Sequence, residues 1–314
     1  MFISVVIPTY NGENHLQKNL PQVIAALTQD NQKDIELILT DDHSTDSTVD
    51  ILKKIQKNSP IPVTILENAQ NGGFSINVNR GVRAAKGDIV ILLGSDVLPG
   101  KNFIQPLLAH FNDEKVFAVG CANKSDQDKG TNILRGRGIG KWEKGFLFHF
   151  YGELINDNTL WVDCGSGAFR KSIWDKIGGL EELYRPFYWE DIDISYRAQK
   201  MGYTVKIEKK SVVIHEHEKG SIKKLTSSLI TQTAYRNQFF FVWLNITDRN
   251  LLINHLFYIP YHLLSALKNR NWLLIKGFIK ALSQLGKVRI ARKKITPRFC
   301  VNDKAILAKF TNEI

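Results

Sequence analysis

Ile35-Glu36-Leu37-Ile38-Leu39-Thr40-Asp41-Asp42-His43-Ser44-Thr45-Asp46 decides the fold. Five largely apolar residues, Ile35–Leu39, are too few for a helix and are rich enough in aliphatic side chains for a buried strand. An acidic turn follows, and from Asp46 to Ile55 the spacing is helical, with Ser44 and Asp46 as start signals. Upstream, Ile3–Pro8 is a β-branched strand, and His15–Leu27 carries Leu16, Leu20, Val23, Ile24 and Leu27 at helical spacing. Downstream come a strand at Val63–Leu66, a helix at Ser75–Ala85 that Gly87 is expected to cap, and a strand at Ile89–Leu93. Strands alternating with helices predict a mostly parallel central sheet with flanking helices, an α/β Rossmann-like architecture.

The middle is less regular. Asn123–Gly145 is polar, with no clear period, and reads as a surface loop over a ligand. Structure resumes over Val162–Gly179, Trp189–Met201 reads as a helix, and Val205–Ile207 and Val212–Ile214 read as two short strands. A boundary is expected near Ser221. Residues 222–314 hold 16 Lys+Arg against three Asp+Glu, so the whole excess of the +11 chain lies in this third. Such a tail suits an anionic membrane surface, nucleic acid or solubility. Its longest apolar tract, Leu251–Leu267, is interrupted by Asn254, His255, Pro260 and His262, which disfavours a spanning helix and favours an interfacial or packed one. The N-terminus reads as a first buried strand rather than a signal peptide. Three scattered cysteines, Cys121, Cys164 and Cys300, disfavour a disulfide framework and a cysteine zinc site, and a reducing cytosol is the expected compartment.

In a parallel α/β sheet, ligands bind beyond the carboxyl ends of the strands. There the chain places Pro8-Thr9-Tyr10-Asn11, Asp41-Asp42 and Gly94-Ser95-Asp96. Neither a dinucleotide fingerprint nor a P-loop is present. Asp41 and Asp42 either cap turns or accept hydrogen bonds from a nucleobase or ribose. Asp96 is either a turn residue ahead of Pro99-Gly100 or a ligand to a hard cation on a diphosphate.

Together these segments resemble glycosyltransferase family 2, inverting enzymes of GT-A fold. Ser4–Asn11 resembles the opening strand and donor loop, and Glu36–Asp46 the base-binding segment, although His43 stands where the family usually has Gly. Asn71-Gly72-Gly73-Phe74 with Asn79-Arg80-Gly81 is similar to a rhamnosyltransferase-like branch. The resemblance implies donor contacts at Pro8, Thr9, Tyr10, Asn11, Asp41, Asp42, Asn71, Gly73, Asn79 and Ser95. It implies Mn2+ or Mg2+ on Asp96, although Gly94-Ser95-Asp96 keeps one carboxylate of the usual two. His215 is the expected second ligand, ahead of His217. A zinc site on the His215/His217 pair is the lesser alternative.

Tyr188-Trp189-Glu190-Asp191 supplies the candidate base: the resemblance assigns proton abstraction to the Glu-Asp pair, with Asp191 ahead of Glu190. Glu190 also suits the helix N-terminus on dipole grounds alone. Gly165, Ser166 and Gly167, with Trp189, are implied on the acceptor side. Tyr235-Arg236-Asn237 resembles the segment following the catalytic domain, and the Gln-x-x-Arg-Trp motif of processive synthases is absent.

The expected protein has a GT-A domain over 1–221, with a nucleotide-sugar half (1–96) and an acceptor half (97–221), and a basic amphipathic helical extension over 222–314. It would add one sugar from a nucleoside-diphosphate donor to a glycan or polyprenyl-linked acceptor, in cell-surface polysaccharide synthesis, peripherally on the inner face of the membrane. A non-catalytic nucleotide-sugar or membrane-binding protein and a nucleotidyltransferase are the rival readings. Nucleic acid is the weaker partner, and neither the sugar nor the oligomeric state is legible.

Overall fold

The computed structural model describes residues 1–29, 34–125, 133–215 and 226–313. The first half is β1 (Ile3–Thr9), α1 (Glu13–Gln29), β2 (Ile35–Asp41), α2 (Thr48–Asn58), β3 (Val63–Glu67), α3 (Phe74–Ala84) and β4 (Ile89–Leu93). Strands β3, β2, β1 and β4 lie side by side and parallel, with Ile3 opposite both Ile35 and Ile89. Every residue of β1, β2 and β4 is buried, as parallel strands covered on both faces require. Gly87 does not cap α3, which ends on Ala85 in an extended conformation. A Cβ at Gly87 would stand 2.5 Å from the Ser4 nitrogen, so glycine is needed there to bring the chain against β1.

The second half adds β5 (Val97–Pro99), α4 (Ile104–Ala109), β6 (Val116–Ser125), β7 (Gly138–Glu143), β8 (Phe146–Tyr151), β9 (Ser166–Arg170), α5 (Lys171–Ile177), α6 (Glu190–Lys200) and β10 (Thr204–His215). The eight-stranded sheet runs β3-β2-β1-β4-β9-β6-β10-β5. Strand β9 is antiparallel to β4 and β6, and β5 is antiparallel to β10. Two expectations are corrected here. The two short strands form one, β10, kept continuous by a register shift between Glu208 and Val212. Asn123–Gly145 is not one loop: β6 continues to Ser125, and β7 pairs with β8 as a hairpin. Residues 126–132 lie outside the described part.

The expected boundary at Ser221 also lies outside the described residues. The helices beyond it are α7 (Ser227–Asn245), α8 (Arg249–Lys268), α9 (Trp272–Leu282), α10 (Leu285–Ile295) and α11 (Asp303–Leu307). They share a core with the acceptor half. Phe239, Phe240 and Phe241 of α7 are buried with Leu147, Trp161, Tyr184, Trp189 and Tyr196. Lys200 at the end of α6 meets Asp303 of α11 at 2.9 Å, with both side chains inaccessible to solvent. Asp303 also accepts from the Tyr196 hydroxyl and from the amides of Thr247 and Asp248.

Candidate active site

The carboxyl ends of β1, β2 and β4 meet at one rim, but most of the expected donor residues there are engaged in building the loops. Asp41 is buried and accepts from the Ser44 amide at 2.9 Å, from the Ser44 hydroxyl and from Thr9 Oγ1. Asp42 accepts from the amides of Gly72 and Gly73 and from Asn68 Nδ2, all within 2.9 Å. A carboxylate offers about four acceptor positions, so each has about one left for a nucleotide. Asn11 Oδ1 accepts from the Thr45 amide at 2.8 Å and locks the two loops together. His43 has φ +64°, a left-handed conformation, which accounts for glycine being usual at that position of the resemblance.

Two expected donor residues point elsewhere. Pro8 is buried within β1, opposite Thr40. Asn79 bonds both the amide and the carbonyl of Leu180, at 2.9 and 2.8 Å, so its whole side-chain amide holds a turn. Tyr10 and Asn71 remain exposed at the rim, and Ser95 is partly exposed there.

Beyond β4 the structure brings Asp96 and His215 together, with Oδ2 and Nε2 3.3 Å apart. The pairing of β5 with β10 does this by setting Val97 opposite His215. Burial pushes the Asp96 carboxyl upward, but the hydrogen bond and charge of His215 outweigh it, and the group sits below its ordinary range. His15 on α1 adds to that lowering, and Asn19 donates to the Ser95 carbonyl at 3.2 Å. Neither α1 residue was anticipated. His217 lies outside the described residues. Among the described residues no group of three or more His, Cys, Asp or Glu could hold a metal. One carboxylate and one imidazole nevertheless fit a hard cation that takes its remaining ligands from phosphate and water, as Mg2+ does in many phosphate sites.

A backbone hydrogen bond from Gly94 to the Gly165 carbonyl, at 2.8 Å, ties this loop to a second acidic cluster. Asp191 opens α6. One of its oxygens accepts from the Ile192 amide at 2.8 Å, and burial, then Asp163 and Glu190, hold its carboxyl well above the ordinary range. Glu190 is buried with Oε2 unpartnered, and burial pushes its carboxyl up to about 7. Asp163, raised by burial, takes hydrogen bonds from Trp161 Nε1 at 3.0 Å, Asn123 Nδ2 at 3.3 Å and the Tyr151 hydroxyl at 3.4 Å. It also feels the charge of His215, so it links the His215 pair to Asp191. No role is legible for Asp163 in the sequence; its place two residues before Gly165 was the available signal.

The chain reaches these carboxylates through two consecutive left-handed residues, Tyr188 at φ +71° and Trp189 at φ +79°. Such backbone costs about 1–3 kcal/mol per residue and persists only where surrounding contacts impose it. Asn237 of α7 imposes it: its Nδ2 lies 2.9 Å from each of the carbonyls of Tyr184, Phe187 and Tyr188, which share its two N–H groups. Arg236 adds bonds to the carbonyls of Tyr184 and Arg185. Asp193 is bonded by Arg197, Tyr184 and Asn245 and is no base candidate.

On the acceptor side three expectations are corrected. The indole of Trp189 packs against His149 and Phe241 in the core. Ser166 is buried in β9. The space beside Gly167 is filled by Val162, 2.4 Å from where a Cβ would stand. Gly165 alone has open space, with nothing nearer than the Gly94 nitrogen at 4.0 Å.

The raised Glu190 carboxyl has a stability consequence. Its folded value exceeds the unfolded one, so the fold binds a proton more tightly and loses stability as pH rises from about 4.5 to about 7. Glu190→Gln is expected to be stabilising at pH 8, on the order of 1–3 kcal/mol, and neutral at pH 4. Melting curves at both pH values check this; equal melting temperatures at pH 8 would refute it.

The sheet order, the strand-end loops and the facing carboxylates define a GT-A sugar-transfer fold. Residues 4–178 match the family model "Glycosyl transferase family 2", and the chain belongs to that family. It is 31% identical over 269 residues to a Bacillus subtilis (strain 168) protein described as "Uncharacterized glycosyltransferase YfnE", covering 72% of this chain and 67% of that one. It is 34% identical over 173 residues to an "Undecaprenyl-phosphate 4-deoxy-4-formamido-L-arabinose transferase" of Edwardsiella ictaluri (strain 93-146), covering 55% of this chain and 50% of that one. Among solved structures, "Crystal structure of GalNAc-T7 with UDP, GalNAc and Mn2+" superposes with a TM-score of 0.68 at 17% identity, over 99% of this chain and 57% of that one. The protein is therefore a family 2 glycosyltransferase of GT-A fold, and the chain spans about half the length of several of the curated relatives it matches.

Proposed function

We propose that this enzyme transfers a single sugar, with inversion, from a nucleoside-diphosphate sugar to a glycan carried on a polyprenyl lipid, in cell-surface polysaccharide synthesis. The observation that carries this reading is the Gly94–Gly165 bond, which joins the Asp96–His215 pair to the Asp163–Glu190–Asp191 cluster. A site for a diphosphate thereby adjoins a site for a base. The undecaprenyl-phosphate relative supports a lipid-linked acceptor, and the Asn71–Gly81 segment supports a rhamnosyltransferase-like branch. The inner face of the cell membrane is the corresponding location.

The acceptor hydroxyl enters opposite the diphosphate. As its oxygen bonds to C1, Asp191 takes the proton and the C1–O bond to the diphosphate breaks, its electron pair leaving on phosphate. Asp96 and His215 would hold Mn2+ or Mg2+, which would supply positive charge for that leaving group. A general base positioned in this way contributes about 10²–10⁴-fold.

Calorimetric titration of UDP-, GDP- and dTDP-sugars tests the donor side. With Mn2+ one family of nucleotides is expected to bind. Chelator or Asp96→Ala should weaken it about tenfold or more, since either removes the cation that offsets the diphosphate charge. Unchanged binding in chelator would remove the metal. Release of pyrophosphate rather than a nucleoside diphosphate would identify a nucleotidyltransferase instead.

A further inference from the structure

Helix α8 is turned inside out. The polar side chains along its middle face the protein: Asn254 accepts from Trp142 Nε1 at 2.9 Å, His262 bonds the Lys144 carbonyl at 2.7 Å, and His255 is buried. Trp243 Nε1 donates to His255 Nε2, which leaves Nδ1–H to donate to the Gly145 carbonyl at 2.7 Å. Between Leu251 and Leu267 every exposed residue is apolar. Ile253, Leu256, Phe257, Tyr261, Leu264 and Leu267 recur three or four apart, forming one stripe along a helix of 20 residues. Phe257 is 74% exposed, Leu264 66% and Leu256 65%. A water-facing surface helix has the opposite polarity, and so long an apolar stripe marks an interaction surface.

Charge identifies the partner. Arg249 to Ile295 contains ten Lys or Arg and no Asp or Glu. Arg292 bonds the carbonyls of Trp243 and Ile246, and the other nine are exposed. Trp272, exposed at the start of α9, is a residue type favoured at the headgroup level. Among the described residues no helix is long and apolar enough to cross a membrane. We infer that α8 lies in the plane of an anionic bilayer surface, with the Ile253–Leu267 stripe inserted among the acyl chains and the basic residues of α8–α10 on lipid phosphates.

This deepens, and for its use rests on, the reading of a lipid-linked acceptor. The β7–β8 turn docks on α8 through Lys144 and Gly145, while Tyr151 at the far end of β8 reaches Asp163. One strand of six residues, about 17 Å, therefore separates the lipid-facing helix from the catalytic carboxylates. That span suits a diphosphate-linked head group whose hydroxyl must reach Asp191 while its polyprenyl chain stays in the bilayer.

The test is flotation of the full chain with vesicles of phosphatidylcholine alone and of phosphatidylcholine with phosphatidylglycerol, at low and high salt. Binding only to the anionic vesicles, weakened by salt, is expected. Phe257→Ser with Leu264→Ser, and separately Lys287→Gln with Arg289→Gln, Lys293→Gln and Lys294→Gln, should each weaken it about tenfold or more without moving the melting temperature. No flotation of the wild type, or full flotation of the apolar double variant, overturns the inference. So does light scattering that finds a dimer which the double variant dissociates, since a second copy would then cover the stripe. Donor titration by calorimetry needs no vesicle, so failure of the transferase reading would register there and not in flotation.

Discussion

Asp191→Asn is expected to lower kcat by about 10²–10⁴-fold, the usual contribution of a positioned base, and to leave the donor dissociation constant within about twofold of wild type. Asparagine keeps the shape and keeps an oxygen to accept from the Ile192 amide, but it cannot take the acceptor proton. The substitution also removes one charge from a cluster in which burial, Asp163 and Glu190 already push the Asp191 carboxyl up. The variant should therefore melt at or above the wild-type temperature, so lost transfer cannot be ascribed to lost folding. Transfer assays with calorimetry on the same preparation decide it. If Asp191→Asn turns over near the wild-type rate while Glu190→Gln does not, the base is Glu190, whose unpartnered Oε2 is the only other candidate on the α6 N-terminus.

Asp303→Ala is expected to destabilise the protein by about 3–5 kcal/mol, the cost of leaving one partner of a buried ion pair uncompensated. Lys200 would lose its carboxylate partner in a site closed to solvent, keeping only Thr247 Oγ1 at 2.7 Å and the face of Phe299. The amides of Thr247 and Asp248 and the hydroxyl of Tyr196 would lose their acceptor as well. Tyr196 and Lys200 lie on α6, the helix that begins at Glu190 and Asp191, so the lesion reaches the site. Lys200→Met with Asp303→Leu should recover only the part of the loss due to the uncompensated charge, because the apolar pair demands no charge compensation but leaves the Thr247 and Asp248 amides and the Tyr196 hydroxyl without an acceptor. Denaturant unfolding of the three proteins checks this. A single variant as stable as the wild type would show that the pair contributes nothing.

Much of the nucleotide half was legible because its signals are local. A strand such as Ile89–Leu93 is a run of apolar residues, and its reading depends on nothing distant. The pairing of Asp96 with His215 was reachable through the resemblance, although 119 residues separate them. Hydrogen-bond engagement was not legible. Asp41, Asp42 and Asn79 look like ligand contacts in sequence, yet Ser44, the Gly72-Gly73 amides and Leu180 use most of their capacity. The same limit hid Asp163, which feels the charge of His215 and itself raises the Asp191 carboxyl.

The sequence by itself determined the α/β alternation, the loops at the strand ends, the Glu190-Asp191 helix start and the concentration of positive charge after Ser221. Each depends on residue type and short spacing. Only the tertiary structure decided which carboxylates remain available, that Asn237 holds the left-handed Tyr188-Trp189 bend, and that α8 turns its histidines inward and its apolar residues outward. Those outcomes depend on which backbone carbonyls and rings from distant elements satisfy each polar group, and chain order does not state that.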